Sequence, residues 1–211
     1  MALLFGLLPV MQAPATSAST VGRANEETAQ HTLYFPLSGE EFTPEEFAAA
    51  VEEQAAPTQE ELPSLNPISI GLCNAGQRSH VISSVASGSG NGIALGIVDL
   101  KCGDEKTGYV HIRKNHQAQW QQFIDRNPAA FGPFTLWDDF MWFATYHSIA
   151  APNPAYDLPQ RLRDQKVCFS TSVQIRDNHG RVVDSLNPTV IVSENNKLVI
   201  TSFPTTKDIH C

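Results

Sequence analysis

The order in which two hydrophobic patterns occur constrains the fold of this chain more than any other feature of its sequence. Residues 117–126 and 136–149 repeat apolar side chains at helical spacing, most densely in the second segment. The last third instead shows strand-like segments separated by turn sequences at residues 177–180 and 195–196. Helices that precede an antiparallel meander predict an α+β fold, in which N-terminal helices pack on a C-terminal antiparallel sheet.

Shorter patterns occupy the middle of the chain. Residues 68–72 alternate in the manner of a strand, and residues 93–100 are also strand-like. The stretch 74–92 between them is rich in Gly and Ser and predicts a loop. We therefore expect a globular body that begins near Pro67 and comprises residues 67–211 as one domain.

The N-terminus is apolar over residues 1–11 and continues in small residues. This run has the length of a signal-peptide core and is too short to span a membrane, so residues 1–20 are predicted to be a signal peptide. The basic residues that usually precede such a core are missing, and a short buried or disordered apolar tail is the alternative. The composition excludes a multi-span membrane protein, a coiled coil and a collagenous chain.

Charge is distributed unevenly along the chain. Residues 21–66 contain ten Glu against Arg23 alone, and the remaining twelve acidic and thirteen basic residues all lie in the body. Within the acidic stretch, Thr43 and Glu46 predict a capping box at the start of a short helix over residues 43–54. We interpret residues 21–66 as a linker or propeptide with little fixed structure around that helix.

All four cysteines lie in the body. An even number is typical of an exported domain stapled by disulfides, although four reduced buried thiols are the alternative. Four cysteines allow three pairings, and the sequence does not choose among them. Their spacing matches no zinc site, and we expect neither a metal nor another cofactor. We expect a secreted protein without stable membrane insertion after signal removal. The cysteines are Cys73, Cys102, Cys168 and Cys211.

Polar and reactive side chains are densest between His111 and His116. These six residues supply two imidazoles, a guanidinium and an ammonium at the start of an apolar-faced helix. RNA transesterification uses such groups, because it needs a base for the 2′-OH, an acid for the leaving 5′-oxygen and a cation for the phosphorane. The alternative is an ordinary solvated helix start. Arg113, Lys114 and the hydroxyl of Thr171 are candidate substrate-binding groups.

Four features together resemble a known family. They are a Gly…His-Ile-x-x-x-His segment, an amphipathic helix ending in Arg, a Phe-Thr pair before a long buried helix, and a hairpin ending Val-Ile-Thr-Ser-Phe-Pro. This pattern is similar to the RNase A-like toxin domains of bacterial contact-dependent inhibition and related polymorphic toxins. It resembles more loosely the barnase–EndoU–colicin–RelE class of metal-independent ribonucleases. The resemblance covers residues 105–206, about half of the chain.

The resemblance implies roles for particular residues. His111 and His116 match the two family histidines and would form the acid–base pair. Arg126 matches the arginine of the following helix, and Thr201 matches a threonine that positions the phosphate. Phe203 stands where the family often has tyrosine, and its ring can stack on a base but has no hydroxyl to donate a hydrogen bond. The family domains also generally lack the disulfides expected here.

These observations predict a secreted, metal-independent endoribonuclease that cleaves RNA through a 2′,3′-cyclic phosphate. It would act as a toxin, with a cognate inhibitor or immunity protein as a further partner, and the acidic residues 21–66 would shield its cationic cleft until they are removed. A non-enzymatic, disulfide-stapled secreted binding domain is the first alternative. The second is an ADP-ribosyltransferase-like toxin, which needs a catalytic Glu in the C-terminal strands, where only Glu194 occurs and lies in a predicted turn.

Overall fold

The helices and strands of this chain are taken from a computed structural model, which describes residues 30–52, 65–133, 135–207, 209 and 211. The signal peptide predicted from the sequence lies outside these residues. The α-helices are α1 (Pro44–Glu52), α2 (Pro67–Asn74), α3 (Gly108–Arg126) and α4 (Trp137–Ala150). The strands are β1 (Thr32–Phe35), β2 (Glu40–Phe42), β3 (Val81–Ala86), β4 (Ile97–Lys101), β5 (Gln160–Leu162), β6 (Lys166–Ser170), β7 (Val173–Arg176), β8 (Val182–Ser193) and β9 (Val199–Thr205).

One antiparallel sheet dominates the fold. Its strands follow the order β2-β1-β7-β8-β6-β5, with β9 also paired to β8, and β3 and β4 form a separate two-stranded sheet. β6 and β7 pair with β8 in the same register: Ser170 is opposite Thr189, and three residues further along, Val173 is opposite Leu186. The α+β prediction and the C-terminal hairpin are confirmed. The sheet also recruits β1 and β2 from the N-terminal part of the chain, so helices do not simply precede it.

Helix α4 lies against the inner face of the sheet and forms the centre of the core. Its residues 140–143 are completely buried, as are Phe169, Val190 and Val192 on the sheet. Burying one such large apolar side chain stabilises the fold by about 1.5–3 kcal/mol. The prediction of a well-buried helix over residues 136–149 is confirmed.

The acidic N-terminal segment is partly folded into the body. The capping box is present, since the side chains of Glu46 and Thr43 accept each other's backbone N–H at 2.8 and 3.1 Å. The expectation of little fixed structure around α1 is wrong for β1 and β2, because β1 pairs with β7 and buries Leu33 and Phe35. A four-residue strand is too short to stand out by its alternation among glutamates and prolines.

The strand expected at residues 68–72 is wrong, because these residues belong to α2. The side chain of Asn66 accepts the Ile68 N–H at 2.8 Å and Pro67 occupies the first helical turn, so a helix start outweighs the alternation. The predicted strand over 93–100 is only partly present, as β4. The loop expected over 74–92 contains β3.

Helix α3 carries the histidine segment and the amphipathic segment as one element. It begins at Gly108, whose φ is +75°, and a Cβ at this position would lie 2.5 Å from the carbonyl oxygen of Lys101. Only glycine fits such a turn without a shift of the backbone. This tight start places α3 directly beside the end of β4 and puts His111 and His116 in its first turns.

All four cysteines are paired. Cys73–Cys102 ties α2 to the residue after β4, and Cys168–Cys211 ties β6 to the C-terminal residue. The disulfide-stapled fold is therefore confirmed, and the structure selects one of the three possible pairings. Closing loops of 29 and 43 residues stabilises the folded state by about 3–4 kcal/mol each in the chain-entropy description.

Candidate active site

The two histidines of α3 meet near the start of the helix. Five residues separate His111 from His116, which corresponds to about 140° around the helix axis and about 7.5 Å along it. Their ring centroids nevertheless lie only 5.9 Å apart, with the ring planes inclined at 71°. Both side chains are half-buried. The two imidazoles that the sequence singles out therefore form a pair at the surface.

Phe203 on β9 lies next to this pair. Its ring centroid is 5.3 Å from that of His116, and the two planes are tilted by 30°. Thr201, two residues earlier on the strand, faces the same side, because side chains alternate along a strand. Ser202 between them faces inward and shares a 2.7 Å hydrogen bond with the Thr145 hydroxyl. Phe203 and Thr201 thus lie on the outer side of β9.

The indole of Trp120 holds α3 against β9. Its Nε1–H donates to the backbone carbonyl of Ser202 at 3.3 Å, and the ring is completely buried against Phe140. Trp120 lies about one helical turn after His116, and Ser202 immediately precedes Phe203. This buried contact therefore keeps the imidazole and the phenyl ring together.

The Nδ1 of His111 lies between an acceptor and a donor. It is 2.9 Å from the backbone carbonyl oxygen of Glu105, which can only accept, and 3.0 Å from the side-chain amide nitrogen of Asn115, which can only donate. The Glu105 carbonyl favours a proton on Nδ1, whereas the Asn115 amide favours a lone pair there. The same Asn115 amide donates to the backbone carbonyl of His111 at 2.9 Å. Protonation of the ring fixes one arrangement, in which Nδ1–H donates to Glu105 and Nε2–H faces outward.

His116 also has its Nδ1 beside a carbonyl oxygen, and its ring lies against the apolar ring of Phe203. Its Nδ1 donates to the amide oxygen of Gln119 at 2.8 Å. Burial against its neighbours lowers the pKa of His116, the hydrogen bond to Gln119 raises that pKa, and the charge of His111 lowers it again. The net pKa of His116 is below the ordinary value, which favours its neutral form.

The two predicted substrate-binding cations have different surroundings. The Lys114 ammonium lies 2.9 Å from the Glu105 carboxylate, and both side chains are more than half exposed. Arg113 turns towards α2, where it donates to the side chain of Asn74, and its guanidinium lies 5.4 Å from the centre of the Tyr109 ring. Lys114 is therefore close to the histidine pair through Glu105, while Arg113 bridges α3 and α2.

Arg126 lies far from the histidines along the helix. Ten residues separate it from His116, which is about 15 Å of helix. Its Nε donates to the Asp184 carboxylate at 2.7 Å, and Asn127 donates to the same carboxylate at 2.8 Å. The structure therefore does not bring this arginine to the histidine pair, and Arg126 instead fastens the end of α3 to β8.

The two predicted threonines differ in their relation to the pair. Thr201 shares the outer side of β9 with Phe203, and its Oγ1 is buried without a hydrogen-bond partner among the described residues. Thr171 is buried at the interruption between β6 and β7, on the opposite side of β8 from β9. Two strand spacings across the sheet and three residues along it, about 14 Å in all, therefore separate Thr171 from Thr201.

Several neighbours of the site were not singled out by the sequence interpretation. Asn115 and Gln119 follow His111 and His116 by four and three residues, and this helical spacing would have indicated contact. The carbonyl of Glu105 is a backbone group and carries no sequence signal. Among the residues that the structure describes, no cluster of three or more His, Cys, Asp or Glu side chains is suited to hold a metal ion.

Comparisons with known proteins identify no relative. No protein-family model matches the chain, and no curated protein and no solved structure matches it either. Along the described residues, no helix has both the length and the apolar character needed to cross a lipid bilayer. The arrangement of side chains is therefore the basis for a functional interpretation, and it consists of two adjacent imidazoles, an aromatic ring and a nearby ammonium group.

Proposed function

We propose that this chain is a secreted, metal-independent endoribonuclease, and that it cleaves RNA through a 2′,3′-cyclic phosphate. The observation that supports this most directly is the pairing of the His111 and His116 rings, 5.9 Å between centroids, at the surface of α3. Two imidazoles at this separation can act on opposite sides of one phosphate group. General acid–base catalysis of this kind contributes about 10²–10⁴ to a rate.

The different environments of the rings suggest which is base and which is acid. His116, whose pKa is lowered by burial, is the base: its Nε2 takes the proton of the ribose 2′-OH. The 2′-oxygen then attacks phosphorus, and the bond from phosphorus to the 5′-oxygen breaks. Protonated His111 gives the proton on its Nε2 to that 5′-oxygen, which leaves as a hydroxyl. The products are a 2′,3′-cyclic phosphate and a free 5′-OH.

Neighbouring side chains supply charge and binding surface. The Lys114–Glu105 ion pair is exposed, and exposed pairs are weak, so the ammonium can move to a phosphate oxygen at little cost. Phe203 offers a ring on which a base can stack, in line with its contact to His116. Thr201 would position the phosphate. Arg126 has no part in this mechanism, because its guanidinium donates a hydrogen bond to Asp184 at the other end of α3.

Secretion fits the two disulfides, which persist in oxidising compartments. The proposal also includes export through a signal peptide at residues 1–20, which lie outside the described residues. It further includes action as a toxin and binding of a cognate immunity protein. The idea of a removable acidic shield needs a different boundary, because the structure packs residues 30–52 into the core. A shield would have to lie before residue 30 or within 53–64.

The test uses the full chain with total RNA in EDTA. We expect the His111→Ala and His116→Ala variants each to lose about 100-fold or more in activity, with 2′,3′-cyclic ends on the products of the unaltered protein. His179→Ala is the matched control, because His179 lies exposed in the 177–180 turn. RNA that survives the unaltered protein, or equal cleavage by all variants, would refute the enzyme proposal.

One observation favours the non-enzymatic alternative. Each of the three cations on α3 already contacts a polar partner: Lys114 contacts Glu105, Arg113 contacts Asn74, and Arg126 contacts Asp184. A secreted binding domain would use such contacts for structure alone. Intact RNA after incubation with the folded protein would select this alternative over the ribonuclease.

A further inference from the structure

The two histidines of the candidate active site each contact a side-chain amide on α3, but with opposite polarity. His116 Nδ1 lies 2.8 Å from the amide oxygen of Gln119, and His111 Nδ1 lies 3.0 Å from the amide nitrogen of Asn115. An amide oxygen only accepts and an amide nitrogen only donates. Gln119 therefore favours a proton on Nδ1 of its histidine, whereas Asn115 favours a lone pair there.

The orientation of the Asn115 amide is fixed by a second contact. Its nitrogen donates to the backbone carbonyl of His111 at 2.9 Å, one helical turn earlier. Turning the amide over would place its oxygen against that carbonyl oxygen, and two acceptors repel each other. The amide nitrogen carries two protons, so one bonds to the carbonyl and the other points to the ring. Asn115 thus presents a donor to His111 Nδ1.

The acceptor on the other side of His111 is held in place by its loop. Glu105 lies just before α3, and its carbonyl oxygen is 2.9 Å from Nδ1. The N–H of Asp104 donates to the Thr107 carbonyl at 2.9 Å, and the Asp104 carboxylate accepts the Lys106 N–H at 2.8 Å. These two hydrogen bonds close a turn around Glu105, so turning its carbonyl away from the ring would open that turn.

Neither neutral tautomer of His111 satisfies both neighbours. With the proton on Nδ1, the ring donates to Glu105, but its N–H then faces the N–H of Asn115. With the proton on Nε2, Nδ1 accepts from Asn115, but its lone pair then faces the Glu105 carbonyl oxygen. One hydrogen bond is gained and one is lost in each form, so neither is strongly preferred. The contact of His116 with Gln119 favours a single form, with the lone pair on Nε2.

We propose that Asn115 is a positioning residue that holds part of neutral His111 in the tautomer without a lone pair on Nε2. This inference rests on the proposed ribonuclease function, in which Nε2 exchanges protons with the substrate. RNA cleavage itself is not hindered, because it uses His111 with both nitrogens protonated. The second reaction of such an enzyme, hydrolysis of the 2′,3′-cyclic phosphate, uses neutral His111 as the base and is slowed.

The proton balance of hydrolysis shows where the tautomer matters. Nε2 of neutral His111 takes a proton from water, the water oxygen attacks phosphorus, and the bond from phosphorus to the 2′-oxygen breaks. Protonated His116, which kept the proton of the 2′-OH from the first reaction, gives it to the leaving 2′-oxygen. The product is a 3′-phosphate, and both rings return to their initial protonation. A His111 ring that already carries its proton on Nε2 cannot accept the proton of water there.

The tautomers are measured without RNA. The full chain is labelled with nitrogen-15, and NMR spectra that correlate imidazole nitrogens with ring protons are recorded well above the pH at which histidine ordinarily titrates. We expect averaged signals of two tautomers for His111 and a single form with the proton on Nδ1 for His116. In Asn115→Leu, His111 should change to that single form. An unchanged His111 spectrum would overturn the proposal.

Two further variants frame this measurement. Asn115→Asp puts an acceptor in place of the donor and should move His111 in the same direction as Asn115→Leu. Asn178→Leu, in the exposed 177–180 turn, is the matched control and should change neither ring. Asn115 is exposed, and leucine forms helices more readily than asparagine, so Asn115→Leu should fold normally. Circular dichroism checks this.

The consequence for the reaction is measured on two substrates, a dinucleotide RNA and a nucleoside 2′,3′-cyclic phosphate. We expect the unaltered chain to release cyclic phosphate ends. Asn115→Leu should raise kcat/KM for hydrolysis relative to cleavage by about 2- to 10-fold, the weight of one hydrogen bond. An unchanged ratio, or an unaltered chain that reacts equally fast with both substrates, would overturn the proposal. If no form cleaves RNA, the proposed function fails, and the NMR spectra alone decide whether Asn115 acts on His111.

Discussion

Histidines occupy two contrasting regions of this molecule. His111 and His116 lie half-buried at the surface of α3, and the Nδ1 of each lies within hydrogen-bond distance of a carbonyl oxygen. His147 lies in α4, where its ring stacks on Phe35 at 4.1 Å between centroids and its Nδ1 is 3.2 Å from the Glu40 carboxylate. Its Nε2 is buried without a partner among the described residues. His147 is therefore a core histidine, and only its Nδ1 has a polar partner among the described residues.

The comparison shows that a lowered pKa does not by itself mark a catalytic group. Burial lowers the pKa of His147 to about 4, and the opposing effect of Glu40 is smaller. Burial also lowers the pKa of His116, which lies beside a second imidazole at the surface. Only the surface environment of His116 lets the ring exchange a proton with a substrate. Access and a partner group therefore distinguish the two regions.

The largest effect on stability should come from removing the core ring. His147→Ala leaves a cavity among Phe35, Phe42 and Phe143, and we expect the free energy of unfolding to fall by about 2–4 kcal/mol. Urea denaturation at pH 7 measures this change. His116→Ala should change stability much less, although it removes activity. If the two variants were equally destabilised, the division into a core and a surface histidine would be wrong.

Asp139, a buried acid on the same helix as His147, sharpens the comparison. Burial raises the pKa of Asp139, whereas it lowers that of His147. Burial, with a smaller contribution from the neighbouring Asp138 carboxylate, raises the pKa of Asp139 to about 7, against an N–H from Leu65 that lowers it. The folded state therefore holds this proton more tightly than the unfolded chain. Stability that is present below pH 4 is lost as the pH rises towards 7.

Asp139→Asn keeps an oxygen to accept the Leu65 N–H and cannot ionise. We expect it to raise the free energy of unfolding by about 2–4 kcal/mol at pH 8 and to change little at pH 4. Urea denaturation at both pH values measures the difference. A gain of the same size at both would show that ionisation of Asp139 is not the cause.

The smallest effect concerns the surface pair itself. Gln119 accepts the Nδ1–H of His116 and raises the pKa of that ring, so Gln119→Leu should lower the pKa further. The acid limb of the kcat/KM profile for RNA should then move to lower pH, by less than about one pH unit. Gln119→Glu should move it to higher pH, because a carboxylate stabilises the imidazolium. Two shifts in the same direction would exclude Gln119 as the group that positions His116.

Some elements could be predicted because they depend on neighbours in the sequence. The capping box of Thr43 and Glu46 and the buried helix at 136–149 are confirmed. The segment at 68–72 shows the limit of such reasoning, because its alternation indicated a strand while Asn66 and Pro67 started a helix. Two local signals conflicted there, and the helix start outweighed the alternation.

The candidate site was predictable only within α3. His111 and His116 share one helix, so their proximity follows from local geometry. Arg126 shares that helix too, and the rise of about 1.5 Å per residue should have excluded it from the pair. The position of Phe203 beside His116 depends on the docking of β9, which follows the register of the whole sheet.

The amino-acid sequence alone determined the two helices with strong apolar periodicity, the final hairpin and the reactive content of residues 111–116. These features depend on contacts within a few residues of the chain. Only the tertiary structure decided that Cys168 pairs with Cys211, that β1 joins the sheet and that Ser170 lies opposite Thr189. Strand register and disulfide pairing join residues far apart in sequence, and local preference carries no information about which distant partner gains the most from burial.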